Sequence, residues 1–557
     1  MGAFRSDVPA DAGTVFEALA RSAARYPAHD LLQVVEVTAA AYGIEARCHS
    51  YREIFEQASG WAEAYRASGV GHGHRVGLLL GNRPEFFVHW FALNALGVSV
   101  VPLNADWRSG ELEYVLGHSE LCHALVLDNK VDAVNAAARA IGRRISVAAS
   151  SQAAVGRPSV TAPHVGSAIA AGAPGTGAEC ALLYTSGTTG RPKGCMLANE
   201  YFLVAGRWYA GSGELSTIID GTDRLITPLP LVHMNAMAFS TMVMLLTGGC
   251  VVQLDRFHPG SWWESVRESR ATITHYLGVM PAMLLDRPPD PRDRTHSLRF
   301  GLGSGVAKAQ HGEFESRFGF RLLEGWAMTE GGAGATVLGN REPRHAGTAC
   351  FGRPGAFIEW RIVDDDGADV PVGTPGELLV RRAGANPGLG FFSGYLKDPD
   401  ATAAIWQGRY LNTGDLVRAD DEGYLYFVDR KKNIIRRSGE NISAVEVESA
   451  LLAHPAVKAV GVSAVDDPVR GDEVMACVIP NEPIISTQGA QALAEALVRH
   501  CLERLAYYKA PGYIAFCDEL PLTPTQKIQR SQLKAYALAR KAAGECIDLC
   551  GLKVRQI

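Results

Sequence analysis

Residues 184–194 combine the side chains and glycines that bind phosphate groups. The segment reads Tyr-Thr-Ser-Gly-Thr-Thr-Gly-Arg-Pro-Lys-Gly and follows the apolar run 180–184. Glycine lets backbone N–H groups turn toward an anion, and a concave row of such groups binds phosphate oxygens. We therefore expect a phosphate-binding loop after a buried strand, with a flexible surface turn as the alternative. The donors and glycines of this loop are Thr185, Ser186, Gly187, Thr188, Thr189, Gly190 and Lys193.

The loop does not follow the mononucleotide pattern G-x-x-x-x-G-K-[ST], because Gly187 and Lys193 are wrongly spaced and no helix-opening serine follows. It resembles instead the phosphate-binding signature of the adenylate-forming superfamily, which includes acyl-CoA ligases, adenylation domains and luciferases. Residues 233–237 and 394–402 are similar to bacterial acyl-CoA ligases, including the crotonobetaine/carnitine–CoA ligase group. The resemblance extends over roughly residues 14–535 and implies that ATP activates a carboxylic acid.

A second motif, residues 324–330, reads Glu-Gly-Trp-Ala-Met-Thr-Glu. In isolation it is also compatible with a helix that Thr329 caps. The resemblance implies that Trp326 lines the adenine pocket, Thr329 bonds a phosphate, and Glu330 binds Mg²⁺, which prefers oxygen ligands. Tyrosine is the familiar residue at 326, and tryptophan keeps its flat aromatic face. The same resemblance adds the nucleotide-site residues Ser304, Gly305, Glu324 and Gly325.

Residues 410–415 and 427–430 form a third pair of motifs, which contain Asp415 and Arg430. An aspartate after a tight turn accepts two hydrogen bonds, so a vicinal diol suits it, although a solvated turn is the simpler interpretation. The resemblance assigns the ribose of ATP to Asp415, with assistance from Arg430.

A basic run begins immediately afterwards, and such a run usually forms only a solvated face. The resemblance places a hinge at Lys432 and the entrance for the pantetheine arm of CoA at Gly439. Ser438 replaces a familiar glycine and is expected to narrow that entrance. Arg436 and Arg437 are predicted to meet the phosphates of CoA.

Residues 521–530 resemble the catalytic-lysine loop of the family, and Lys527 falls on the lysine itself. A lone lysine near a C-terminus is otherwise a surface residue. Gln526 replaces the familiar glycine and leaves the cation in place. The resemblance implies that the C-terminal domain rotates about Lys432, withdrawing Lys527 and presenting Gly439 to a thiol.

A strand-end segment similar to that of the family carries His233, which is assigned to the gate or carboxylate side of an acyl pocket. A histidine beside apolar residues is more often a core residue. The predicted walls contain no charged side chain, which favours an uncharged, mainly apolar acyl group, with a quaternary ammonium acid as the alternative. Volume for a group larger than acetate is expected beside Gly331, Gly332 and Gly334. The predicted pocket residues are His233, Met234, Met237, Val279 and Gly331.

Alternating helical and strand periodicity must position these motifs, and it predicts an α/β fold. Helices are predicted at residues 14–26, 84–96, 443–454 and 489–504. Strands are predicted at residues 75–80, 98–103, 180–184, 224–229, 249–254, 272–277, 358–363, 376–381, 457–462 and 473–479. The strand–helix–strand unit 75–103 predicts a parallel pair, residues 153–177 a linker, and residues 535–557 a peripheral tail.

We therefore predict a large N-terminal region, residues 1–429, of stacked α/β layers plus a small β-barrel. A small mobile α+β domain, residues 430–557, follows. The active site of the protein is expected in the cleft between the two regions.

Composition restricts the classes of function. The chain has 557 residues, 47% hydrophobic and 20% charged, and a formal net charge of −5, which argues against nucleic-acid binding as the main role. Its eleven cysteines are scattered without zinc spacing, which indicates reduced thiols. We expect a cytoplasmic enzyme with no signal peptide and no stable membrane insertion, and a homodimer stays open.

The prediction is an ATP-dependent acyl-CoA ligase that uses ATP, Mg²⁺ and CoA. The catalytic set implied by the resemblance is Lys193, His233, Thr329, Glu330 and Lys527. One alternative is an adenylating enzyme that loads a separate carrier protein. The other is a non-catalytic nucleotide-binding relative that acts as a scaffold.

Overall fold

The structure is a computed structural model that describes residues 12–105, 107, 109–153, 172–185, 192–437, 440–467, 471–484, 486–505, 507–522 and 528–553. Contacts between Cα atoms divide the described chain into two compact units. The first contains the described residues up to 360 together with residues 380–412. The second contains residues 361–379 and the described residues from 413 onward. The expected domain boundary between residues 429 and 430 stays a prediction.

The first unit contains an eight-stranded and a seven-stranded sheet. In spatial order, the strands of the larger sheet are Val337–Leu338, Arg321–Trp326, Phe300–Ser304, Ile273–Leu277, Arg224–Thr227, Cys250–Gln253, Asp30–Gln33 and Cys48–Ser50. Those of the smaller sheet are Gly394–Tyr395, Lys193–Ala198, Glu179–Thr185, Ser99–Pro102, Arg75–Leu79, His123–Val126 and Ser146–Ala149. Most pairs are parallel, and the predicted parallel pair of Arg75–Leu79 with Ser99–Pro102 is confirmed.

Helices connect these strands, as an α/β fold requires. The described α-helices of this unit are Val15–Arg25, Glu36–Tyr42, Tyr51–Ala67, Pro84–Asn94, Ser109–Ser119, Val131–Ala140, Ser150–Ala153, Asn199–Ala210, Met242–Thr247, Trp262–Ser269, Val279–Leu285, Lys308–Phe318, Gly332–Ala335 and Pro399–Ala404. A π-helix, Asn235–Thr241, precedes Met242–Thr247.

Local sequence explains why two predicted helices form. Thr14 ends the extended chain, and its hydroxyl accepts the N–H of Glu17, so helix Val15–Arg25 begins with a side-chain cap. Helix Pro84–Asn94 begins at a proline, whose fixed φ suits a first helical turn. Residues 86–94 of this helix are all buried, as its run of aromatic and aliphatic side chains requires.

The chain between residues 350 and 430 is rich in short strands, as predicted. Besides Gly394–Tyr395, they are Cys350–Gly352, Ile358–Val363, Gly376–Arg382, Trp406–Gln407, Tyr410–Ala419 and Leu425–Arg430. The last two are antiparallel and place Asp415 opposite Arg430. Among the described strands, closure into the predicted small barrel is not confirmed.

The second unit contains the predicted α+β element. Its sheet contains, in order, the strands Glu440–Ser443, Ile434–Arg437, Gly471–Pro480, Tyr513–Phe516 and Ile547–Asp548, and Val457–Asp467 also pairs with Gly471–Pro480. Its described α-helices are Ala444–Leu452, Thr487–Leu502 and Arg530–Ala542. Together they bury a core that includes Ile442, Val447 and Leu497.

The expectation of a peripheral tail after residue 535 is wrong. Leu533 and Ala537, four residues apart on helix Arg530–Ala542, are buried in a core cluster. Strand Ile547–Asp548 pairs with Tyr513–Phe516, and Lys553, backbone and side chain together, is only 7% exposed. The tail was misjudged because its polar composition conceals one apolar helical face.

No helix in the described part of the chain is long and apolar enough to cross a membrane.

Candidate active site

The hairpin around the predicted phosphate loop is formed. Strands Glu179–Thr185 and Lys193–Ala198 pair in antiparallel fashion, with Thr185 opposite Lys193. The loop residues between them, Ser186, Gly187, Thr188, Thr189 and Gly190, lie outside the described residues. The hairpin therefore places the lysine and the first hydroxyl donor at the base of the predicted loop.

Lys193 and Glu330 both contact Tyr395. The Tyr395 hydroxyl donates a hydrogen bond to Glu330 Oε1 at 2.7 Å. Lys193 Nζ lies 4.8 Å from the centre of the Tyr395 ring, a cation–π distance, and 3.7 Å from Asp398 Oδ2. Two residues 137 positions apart in the sequence are thus brought to one aromatic side chain.

The short strand Gly394–Tyr395 explains this arrangement. It pairs with Lys193–Ala198 so that Tyr395 lies opposite Cys195. The N–H of Leu396 donates to the carbonyl oxygen of Gly194 at 2.8 Å, and the N–H of Phe392 donates to that of Glu330 at 3.0 Å. Residues 392–396 therefore join the lysine-bearing strand to the turn that contains Glu330.

Burial determines the protonation states around Glu330. Desolvation raises the pKa of Tyr395 well above its usual value, and the charge of Glu330 raises it further. The pKa of the Cys195 thiol is also raised, first by burial and then by Glu330. Tyr395 is consequently a neutral donor, and Cys195 is a neutral thiol without nucleophilic character.

Glu330 fits a magnesium site that substrate phosphates complete. Its side chain is buried at 9% exposure, and one oxygen is bonded to Tyr395. In the described ranges no group of three or more His, Cys, Asp or Glu side chains is arranged to hold a metal ion. Magnesium is usually bound through one or two protein carboxylates, waters and phosphate oxygens, so one carboxylate near the hairpin is a suitable donor set.

The predicted adenine-side residues lie at the ends of two neighbouring parallel strands. Glu324 accepts the N–H groups of Gly305 and Val306, each at 3.0 Å. Burial raises the pKa of Glu324, while those two backbone bonds oppose the shift. Both carboxylate oxygens thus hold the loop that follows strand Phe300–Ser304, which leaves Ser304 and Gly305 exposed.

Glycine is required in this loop. A Cβ at Gly303 would lie 2.3 Å from the carbonyl oxygen of Tyr276, and Gly305 has a φ of +83°. Gly325 and Trp326 end the adjacent strand, and the buried Trp326 ring lies 6.2 Å from that of Phe351. The arrangement offers exposed backbone next to a flat ring.

The segment after Trp326 does not form the alternative helix capped by Thr329. Residues 329–331 form a turn before the four-residue helix Gly332–Ala335, whose N-cap is Gly331 without a side-chain cap. The carbonyl of Thr329 accepts the Tyr201 hydroxyl at 3.0 Å.

The expectation of free volume beside the glycines is wrong for two of them. A Cβ at Gly332 would lie 2.4 Å from the Tyr201 ring and from the carbonyl oxygen of Gly390, and one at Gly334 would lie 2.4 Å from the Phe391 ring. These glycines allow close packing of neighbouring segments. They do not enlarge a pocket.

The predicted acyl-side residues lie on two elements joined by a buried histidine. His233 is exposed in the turn before the π-helix, whereas Met234 and Met237 are buried. Asn235, the first residue of the π-helix, lies 2.8 Å from Nδ1 of His275, and strand Ile273–Leu277 leads to the half-buried Val279. π-Helical turns often mark functional sites.

His275 was not predicted from the sequence. Its Nδ1 also lies 2.8 Å from Ser240 Oγ, and its Nε2 lies 3.0 Å from the Tyr209 hydroxyl. Burial lowers the pKa of His275 to about 3, so the ring is neutral and joins three neutral groups.

The predicted ribose pair is brought together in the second unit. Arg430 Nε lies 2.5 Å from Asp415 Oδ1, and the Asp415 side chain is 1% exposed whereas that of Arg430 is 43% exposed. The carboxylate is therefore held against its partner, and the guanidinium reaches solvent.

Hydrogen bonds of Asp429 span the predicted hinge at Lys432. Asp429, fully buried, accepts the N–H of Arg430 at 2.7 Å and the Asn433 side-chain amide at 3.2 Å. It also accepts the Ser443 hydroxyl at 2.8 Å. Lys431 pairs with Glu377 at 2.8 Å and with Asp365 at 3.0 Å.

The CoA-side residues are described only in part. The backbones of Lys432 and Arg436 are described without their side chains, and Ser438 and Gly439 lie outside the described residues. Arg437 is buried, and its Nε donates to Glu473 Oε2 at 2.7 Å. Because its guanidinium is held by Glu473, Arg437 is not assigned to the phosphates of CoA.

Lys527 lies outside the described residues, but the chain on both sides is placed. Leu522 pairs with Ile528, and the N–H of Gln529 donates to the carbonyl oxygen of Pro521 at 2.8 Å. Arg530 forms two bonds of 2.5 and 2.6 Å to Glu448. The ends of the predicted catalytic loop are therefore close together.

Comparisons with known proteins agree with these motifs. A family model described as "AMP-binding enzyme" matches residues 19–396, and one described as "AMP-binding enzyme C-terminal domain" matches residues 446–527. The chain is 30% identical over 497 residues to the crotonobetaine/carnitine–CoA ligase of Shigella flexneri, which covers 87% of this chain and 93% of that protein.

Solved structures of other proteins are similar to this chain over most of its length. The o-succinylbenzoate CoA synthetase of Bacillus subtilis in complex with its acyl-adenylate intermediate is 27% identical, with a TM-score of 0.77, over 93% of this chain and 97% of that one. The same synthetase with ATP and a magnesium ion is 26% identical, with a TM-score of 0.76, over 93% and 98% of the two chains.

Proposed function

The chain belongs to the AMP-binding enzyme family, and from this membership we propose that it is an ATP-dependent acyl-CoA ligase of the adenylate-forming superfamily. The substrates are a carboxylic acid, ATP and CoA, and the products are an acyl-CoA thioester, AMP and pyrophosphate. One structural observation carries the proposal: Lys193 and Glu330 meet at Tyr395, beside the hairpin of the predicted phosphate loop.

The first half-reaction brings anions together. A carboxylate oxygen of the acid bonds to the α-phosphorus of ATP, and the bond from that phosphorus to the oxygen of pyrophosphate breaks. Lys193 supplies a fixed cation at the base of the loop, and we propose that Lys527 supplies a second. Magnesium, when held by Glu330, offsets phosphate charge and acts as a Lewis acid. Tyr395 keeps the Glu330 carboxylate in place by its hydrogen bond.

We propose nucleotide contacts for residues of each unit separately. We assign the base to Trp326 and the exposed backbone at Ser304 and Gly305, because Glu324 holds that loop in position. The ribose hydroxyls are assigned to Asp415 and Arg430, since the paired guanidinium still reaches solvent.

The second half-reaction transfers the acyl group. The thiol of CoA loses its proton, its sulfur bonds to the acyl carbon, and AMP leaves. We propose that Gly439 admits the thiol arm and that Lys432 is the hinge between the two half-reactions. Asp429 lies before Lys432 and accepts the side-chain amide of Asn433 after it, so rotation about Lys432 requires this bond to break.

For the acid, we propose an uncharged and mainly apolar acyl group of short to medium size. The buried Met234 and Met237 support an apolar wall. The space beside Gly332 and Gly334 is filled, so these glycines do not favour a bulky acyl group. The relatives named crotonobetaine/carnitine–CoA ligases favour a quaternary ammonium acid as the second candidate.

A pyrophosphate-release screen tests the proposal. Benzoate, cyclohexanecarboxylate, hexanoate, crotonobetaine and acetate are compared by kcat/KM, with and without CoA, and the thioester is identified by mass. Preference for crotonobetaine contradicts the proposed acyl group. If pyrophosphate is released without any CoA thioester, and a phosphopantetheinylated carrier protein is acylated, the acceptor is a carrier protein and not CoA. No release with any acid favours a nucleotide-binding scaffold.

A further inference from the structure

Three charged side chains form a buried triad in the second unit. Glu473 Oε2 accepts a hydrogen bond from the Arg437 guanidinium at 2.7 Å, and Glu473 Oε1 accepts one from the Lys553 ammonium at 2.5 Å. The three side chains are 7% (Arg437), 0% (Glu473) and 0% (Lys553) exposed. Buried charges are costly unless paired, so this triad of two cations and one carboxylate requires all of its contacts.

Arg437 is the last residue of one strand of a hairpin. Strands Ile434–Arg437 and Glu440–Ser443 are antiparallel, and Arg437 lies opposite Glu440. On its other side Arg437 pairs in register with Gly471, two residues before Glu473. The triad therefore fixes the end of the hairpin to the central strand of the sheet.

The C-terminal segment is built to deliver Lys553 to this position. The N–H of Leu549 donates to the carbonyl oxygen of Gly512 at 2.8 Å, next to the pairing of Ile547–Asp548 with Tyr513–Phe516. A Cβ at Gly512 would lie 2.6 Å from Glu473 Cγ and 2.9 Å from Cys550 Sγ. The absence of a side chain at 512 thus lets the tail approach Glu473 closely.

We propose that Lys553 is a positioning residue for thioester formation. It acts through Glu473 on Arg437, the residue that directly precedes residues 438–439. This inference rests on the proposed function, in which Gly439 admits the thiol of CoA. The Lys553 side chain is fully buried, so we expect its effect to run through the geometry of strand Ile434–Arg437.

The test compares Lys553→Met with Lys541→Met. Lys541 lies on the preceding helix, where its ammonium donates to the carbonyl oxygen of Asp466 at 2.7 Å in an exposed position. Hydrogen–deuterium exchange is measured on peptides covering residues 434–443 and 457–467, without substrate. ATP–pyrophosphate exchange and the KM for CoA are measured with whichever of benzoate, cyclohexanecarboxylate or hexanoate the wild type turns over fastest.

For Lys553→Met we expect faster amide exchange in residues 434–443 and unchanged exchange in residues 457–467. The KM for CoA should rise about 3- to 30-fold, the usual range for coupling through a side-chain network, while ATP–pyrophosphate exchange stays at the wild-type rate. Lys553→Arg, which keeps the charge, should restore most of the affinity for CoA. Lys541→Met should leave amide exchange in residues 434–443, the KM for CoA and ATP–pyrophosphate exchange at their wild-type values.

Two results overturn the inference while leaving the proposed function intact. One is a wild-type KM for CoA in Lys553→Met. The other is faster amide exchange in both peptides, residues 434–443 and residues 457–467, which assigns Lys553 a structural role only. If the wild type releases pyrophosphate but forms no thioester with CoA, the proposed function fails and the inference fails with it.

Discussion

Replacement of Tyr395 by phenylalanine tests how the candidate site holds its acidic residue. The change removes the hydroxyl that donates to Glu330 at 2.7 Å and keeps the ring that Lys193 approaches at 4.8 Å. It therefore separates the support of the carboxylate from the support of the lysine.

The size of the effect follows from the partner's charge. A hydrogen bond to a charged group contributes about 1.5–3 kcal/mol. If that energy is needed to orient Glu330 during adenylate formation, the rate falls about 10- to 150-fold. Burial raises the pKa of Tyr395 well above its usual value, so the hydroxyl stays protonated and the loss should be equal at pH 7 and pH 9.

The assay is ATP–pyrophosphate exchange at several magnesium concentrations, together with the melting temperature. Tyr426→Phe is the matched control, because the Tyr426 hydroxyl donates to Asp420 at 2.8 Å and has no proposed role in the reaction. The reasoning is refuted if Tyr395→Phe exchanges at the wild-type rate, or if both variants lose the same activity.

Three further predictions concern single side chains. Lys527→Ala should nearly abolish adenylate formation and largely spare thioester formation from a supplied acyl-adenylate, measured as two separate half-reactions; equal losses would rule out alternation. Glu330→Gln should raise the magnesium concentration needed for turnover far more than it lowers the melting temperature, and an unchanged magnesium dependence would place the ion elsewhere. Burial lowers the pKa of His275 to about 3 from an ordinary 6.5, so its stabilising neutral form is favoured above pH 6.5 and stability is lost as the pH falls toward 3. His275→Gln should reduce the slope of unfolding free energy against pH in that window by about 1.4 kcal/mol per pH unit, and identical slopes in urea titrations would contradict this.

Local patterns predicted the elements of the fold well. Helix Val15–Arg25 and strand Ile358–Val363 agree with the predicted ranges to within about a residue. In both cases the information lies within the segment, as a cap or an alternation of apolar side chains. Strand Glu179–Thr185 was likewise predicted from its apolar run, whereas its pairing with Lys193–Ala198 was not predicted.

Contacts between distant segments could not be read in this way. Tyr395 reaches Glu330 only because a two-residue strand pairs with Lys193–Ala198, and no periodicity is visible in two residues. The space beside Gly334 is filled by Phe391, which is 57 positions away in the sequence. The burial of Lys553 was missed for the same reason, since its partner Glu473 is 80 positions away in the sequence.

The hydrogen bonds of Asp429 have a mechanical consequence. One carboxylate holds the backbone of Arg430, the side chain of Asn433 and the first turn of helix Ala444–Leu452. Twisting the backbone within this stretch would break several hydrogen bonds to a buried carboxylate, and each broken bond costs free energy. Asn433 and Val445 lie beyond Lys432, so rotation of the chain at Lys431 and Lys432 must also break their bonds to Asp429. The resting conformation is thereby held by one buried carboxylate, and its hydrogen bonds oppose the proposed rotation.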